Sequence, residues 1–156
     1  MKLRIVASIA VAAALTLGAT GCSMISPQAT TIDYSASDGV NIPSSGPVDV
    51  RNAMLVADED GTAGNFLAAI VNDTDEAQTL VFGFGDQVET LRVPARDRIS
   101  LGVDGDEPIL FEGIDTKPGG TLSMSFQSGD GEGVATEVPV LDGTLPYYTE
   151  YVPLVD

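Results

Sequence analysis

"TLSMSFQS" (residues 121–128) is the stretch whose pattern decides the fold. Leu122, Met124 and Phe126 fall on one side, and Thr121, Ser123, Ser125 and Gln127 on the other. A period of two is that of a strand with one face buried and one wet. Lys117-Pro118-Gly119-Gly120 precedes it and Ser128-Gly129-Asp130-Gly131 follows, both of turn composition.

Similar short runs extend in both directions. "VDVRNAMLV" (48–56) places Val48, Val50, Met54 and Val56 on one face of a regular strand. "NFLAAIVN" (65–72) is apolar on both sides, which predicts a central strand. "QTLVFGFG" (78–85), "VETLRVPA" (88–95), "RISLG" (98–102), "PILFEGI" (108–114) and "GVATEVPVL" (133–141) complete the set, and Pro139 requires an edge or a bulge. No stretch beyond Cys22 keeps a helical period over about ten residues. The expectation is an all-β, antiparallel β-sandwich of immunoglobulin-like kind over residues 48–142. Such a domain can hold its core without disulfides.

The chain upstream reads differently. Lys2 and Arg4 precede an apolar run from Ile5 to Leu17, which as a helix would rise about 20 Å, short of the ~30 Å of a bilayer core. That is the layout of a signal peptide over residues 1–21. Ala19-Thr20-Gly21-Cys22 resembles a bacterial lipobox, although Ala19 stands where Leu is usual. The resemblance implies that Cys22, the only cysteine, carries a diacylglycerol anchor and places the protein on the extracytoplasmic face of the cell membrane. A secreted protein with a stray thiol is the alternative. An internal disulfide is excluded. Residues 22–47, rich in Ser, Thr, Pro, Ala and Gly, are expected to form a flexible tether.

Formal net charge is −16, with 7 basic residues, 23 acidic ones and no histidine. Removing residues 1–21 takes away Lys2 and Arg4 and no acid, so 5 − 23 leaves −18. This balance repels phosphate backbones and argues against nucleic acid as a partner. Without histidine, the Ser–His–Asp and Cys–His arrangements cannot be built. Lys117, the only lysine beyond the signal region, sits in a Pro-Gly-Gly turn and offers only a weak Ser–Lys possibility. No enzymatic activity is expected.

Transition metals want imidazole or sulfur, and beyond the signal region only Met24, Met54 and Met124 offer sulfur besides Cys22. Met54 and Met124 fall on apolar strand faces, where methionine is ordinary core. Asp58–Gly61, Asp73–Asp75, Asp104–Glu107 and Asp130–Glu132 are acidic loops without EF-hand spacing; they read either as solvated turns or as weak calcium sites. No cofactor is expected. The tail at 143–156 concentrates Tyr147, Tyr148 and Tyr151, which either strap across the sandwich or form a partner-binding segment.

Asn52-Ala53, Asn72 to Asp75, Val93-Pro94-Ala95 and Val138-Pro139-Val140 follow, in order, the outline of the periplasmic copper-chaperone PCu(A)C superfamily, which the chain resembles over about 48–141. That resemblance implies a cupredoxin-like sandwich. It also implies a Cu(I) site of two His and two Met, which this histidine-free chain cannot supply; "DEPILFEG" (106–113) stands where the family has its His-x-Met step. With the lipobox and tether, the chain is most similar to the LpqE-like branch of actinobacterial lipoproteins. The similarity implies an accessory envelope role and association with the respiratory bcc–aa3 supercomplex. Extracytoplasmic metal handling is the alternative function.

Overall fold

The computed structural model describes residues 37–103 and 105–154. The signal segment, Cys22, Met24, the tether before Ser37, and Asp104 of one acidic loop lie outside the described residues. Eight strands form: β1 (Val48–Ala57), β2 (Ala63–Asn72), β3 (Gln78–Phe84), β4 (Gln87–Val93), β5 (Asp97–Leu101), β6 (Ile109–Glu112), β7 (Thr121–Ser128) and β8 (Val134–Leu141). Every run picked out by period and turn residues is a strand, and β7 buries Met124 and Phe126 while Ser123 and Ser125 face solvent.

The strands run in the order β4-β3-β7-β8-β1-β2-β5, with β6 continuing along the same edge of β2 that β5 uses. Gln87 Nε2 donates to the Glu112 carbonyl at 2.6 Å and brings β4 to β6, so the sandwich is nearly closed into a barrel. One pairing departs from a purely antiparallel arrangement: β8 lies parallel to β1 at Leu55↔Val140 and Val56↔Leu141. Pro139 marks the place. Up to Pro139 the strand pairs with β7; immediately beyond, it crosses to β1. Pro139 cannot donate to a ladder, so it suits the point where one is exchanged for another.

The expected face of β1 is corrected by a bulge. Arg51 pairs with Ala69 but Met54 pairs with Leu67, so β1 carries one residue more than β2 there. Asn52 takes a left-handed φ of 52°, which few residues tolerate. Side-chain parity therefore shifts. Val48 and Val50 enter the core, then Ala53, Leu55 and Ala57, while Met54 and Val56 turn to the outer face. Within the main core, Phe66, Phe82, Phe111 and Phe126 cluster, with Phe82 and Phe126 stacked at 6.1 Å and Phe84 edge-on to Phe111 at 5.7 Å. Aromatic contacts of this kind add about 0.5–1.5 kcal/mol each beyond area burial.

The domain also begins earlier than Val48. Val40 and Ala53 exchange both backbone hydrogen bonds, the Ile42 N–H donates to the Val50 carbonyl, and Ile42 joins the core. Ser128 Oγ accepts from the Val48 N–H at 3.1 Å, and its own N–H donates to the Ser45 carbonyl. Residues 40–46, assigned to the tether on composition, thus line the half of β1 that β8 does not reach.

Candidate functional site

Turning Met54 and Val56 outward creates a second apolar cluster with Leu67, and the C-terminal segment covers it. Tyr148 is buried there, joined by Leu141, Tyr151 and Val152. A short 3-10 turn, Thr149–Tyr151, sets the two tyrosines against the sheet. The Tyr148 hydroxyl donates to Asp38 Oδ2 at 2.8 Å, the Tyr151 hydroxyl donates to the Gly102 carbonyl, and Asn65 Nδ2 donates to the Tyr151 carbonyl at 2.9 Å. Burial, reinforced by the Asp38 carboxylate, pushes the Tyr148 phenol far above its usual range. Burial first, then Glu150, pushes the Tyr151 phenol up. Both therefore stay protonated donors at neutral pH and offer no acid–base chemistry.

Tyr148 and Tyr151 are thus straps, and only Tyr147 of the three is left exposed, its ring 4.5 Å from that of Tyr148. Beside the strap lies a cleft of about 450 Å³. It is lined by Met54 and Leu67 of the outer cluster, by the three tyrosines, and by Arg98, Ser100 and Val103. Sequence reading found the tyrosines, weighed Met54 only as core filler or a sulfur donor, and passed over Arg98. Met54 faces the cleft because of the β1 bulge, which no local pattern announces.

The positions expected to matter for metal are elsewhere. Met124 lies in the main core and Met54 in the outer cluster, so the two do not meet. In the 106–113 stretch, Phe111 fills the core, and Asp106 closes its own loop by accepting from the Ser100 N–H at 3.0 Å. Asp58 likewise turns back on its loop. It accepts from the Thr62 hydroxyl at 2.6 Å and from the Thr62 and Ala63 N–H groups. The Thr62 hydroxyl, more than the backbone donors, holds the Asp58 carboxyl below its usual range. Asp75 pairs with Arg96 and Asp60 with Lys117, all exposed. Among the described residues no three His, Cys, Asp or Glu side chains converge as a metal cage would need. Lys117 stays out on its turn, paired only with Asp60.

The phrases that carried the family resemblance prove to be structural. Asn72, fully buried, sends Nδ2 to the carbonyls of Glu76, Val93 and Pro94 at 2.8, 3.2 and 2.8 Å. Its Oδ1 accepts from the Thr74 N–H and hydroxyl. The acidic turn and the Val-Pro-Ala step are thereby fastened together.

No family model matches the chain, and no curated protein matches it. Solved structures do. The apo PCuAC domain from PmoF1 superposes with a TM-score of 0.51 at 18% identity, covering 63% of this chain and 96% of that one. The copper-bound PCuAC domain from PmoF2 gives 0.50 at 15%, covering 64% and 97%. The fold is therefore that of a PCuAC domain, cupredoxin-like, reached at an identity that speaks for architecture alone.

Proposed function

We propose that this chain is a non-catalytic binding module of PCuAC fold, held on the extracytoplasmic face of the membrane by a lipid on Cys22. It acts through the strap face on a membrane or envelope partner. The observation that carries this is a PCuAC architecture without histidine, its methionines packed apart, whose open cleft lies beside a tyrosine strap. The lipobox resemblance supports the anchor, and the LpqE-like resemblance supports the bcc–aa3 supercomplex as the partner to try first. Affinity purification from detergent-solubilised membranes should recover a stoichiometric partner, and Cys22→Ala should move the protein to the culture fluid. Recovery of the free lipoprotein alone, or retention of the variant in the membrane, would count against this function.

Extracytoplasmic metal handling is the second reading, and the fold comparison favours it, since one neighbour is copper-bound. The donor set does not fit Cu(I): the sulfurs of Met54 and Met124 are buried in separate clusters and imidazole is missing. Titration of the full chain with Cu(I) separates the two. Binding tighter than micromolar would favour metal delivery.

A further inference from the structure

We propose that the cleft beside the strap binds a small amphipathic carboxylate, its apolar body against Met54, Leu67 and the tyrosines and its anionic head on Arg98. This deepens the binding-module function above and rests on it. The first ground is charge. The chain carries 23 acids, yet none of the described residues lining the cleft is acidic and one is an arginine. Arg51, Arg96 and Lys117 are each held by a carboxylate, whereas Arg92 and Arg98 make no ion pair among the described residues, and of these two only Arg98 lines the cleft. Its neighbour Asp97 accepts from the Arg98 backbone N–H. Arg98 also borders a second depression with Asp73, Arg96 and Asp97, whereas the described carboxylates nearest the cleft, Asp38 and Asp106, are engaged by the Tyr148 hydroxyl and the Ser100 N–H. A guanidinium in that position recruits a carboxylate through two parallel hydrogen bonds.

The second ground is shape and lining. About 450 Å³ falls toward the small end of small-molecule sites, and an apolar lining with a few convergent polar groups is their usual construction. Ser100, two residues from Arg98 on β5, and the exposed Tyr147 also line the cleft and offer hydroxyls to a head group. The lining is fixed by the β1 bulge and the strap's hydrogen bonds, so the site is formed before a ligand arrives. Aromatic walls suit a flat or short-chain body.

Saturation-transfer NMR tests this on the full chain in phosphatidylcholine nanodiscs, with 4-phenylbutyrate, its amide and the matching amine as probes. The carboxylate should give a saturable response, and Arg98→Gln should weaken it about tenfold or more. The amide should bind the native protein about as weakly as the carboxylate binds the variant, and the amine more weakly still. Arg98→Lys should recover part of the affinity. Unchanged melting of the Gln variant controls for folding. Equal saturation by all three probes, or an Arg98→Gln protein that binds as well as the native one, overturns the proposal. A partner recovered through the strap face without carboxylate binding sinks this inference alone. Carboxylate binding with no partner recovered counts only against the partner.

Discussion

Asn72 holds three backbone carbonyls, of which that of Val93 is buried, and a buried polar group without its partner costs far more than a made bond gains. Asn72→Ala should therefore lower unfolding free energy by about 2–4 kcal/mol in a urea titration. Asn72→Asp should be no better, because it aims a second acceptor at those carbonyls. A loss below about 0.5 kcal/mol in either variant would mean that water replaces the amide. Asp58 makes a pH-dependent prediction. Its folded pKa lies below the unfolded value of about 3.9, so its contribution is complete above that pH and disappears as pH falls through the folded pKa. Asp58→Asn should melt lower than the native protein at pH 7, and the gap should close on acidification from about pH 4 toward 2. A gap that stays constant across that range would show that ionisation of Asp58 adds nothing to the loop's stability.

At the scale of elements, β1 is the strand on which the site depends. Its bulge needs a left-handed residue, and Asn is one of the few that tolerate it. The Asn52 Oδ1 also accepts from the Gly39 N–H at 2.9 Å, and the Asn52 N–H donates to Asn41 Oδ1. Asn52→Gly and Asn52→Val both lose the side-chain contact, so their difference isolates the backbone. The Val variant should be less stable than the Gly variant by about 1–2 kcal/mol in the same titration. Equal stabilities would show that β1 can straighten at no cost.

That bulge also explains what could and could not be read from the chain. The strands were legible because Gly, Pro, Asn and Asp punctuate period-two runs such as 121–128. The face of β1 was not, because residues 53–57 are all apolar and either parity looks acceptable. Ile42 went unnoticed as core because it and Val40 lie in a stretch dominated by Ser, Pro and Gly, and only the pairing beside Val50 gives it a role. The tyrosines were visible as a group, but their division into two straps and one exposed ring depends on contacts with Asp38 and Gly102, distant in sequence. Arg98 is one arginine in a polar strand until the sheet sets it against the tail.

For the whole molecule, the sign of the charge determines how salt acts. Among the described residues three exposed ion pairs contribute little to stability and weaken with salt. Against them stands the mutual repulsion of an acid excess, formal charge −16, crowded onto a small domain. Repulsion acts between many carboxylates at once and is relieved as the Debye length shrinks from about 30 Å at 0.01 M to about 8 Å at 0.15 M. The repulsive term should win, so melting temperature should rise by a few degrees over that span. NaCl, KCl and LiCl should act alike, since screening depends on ionic strength and not on the ion. A fall in melting temperature would mean that the attractive pairs dominate. A rise with millimolar CaCl₂ that tenfold more NaCl fails to match would reveal a specific site in the acidic loops and revive the calcium half of the metal reading. Scanning calorimetry of one sample across these salts reads both signs.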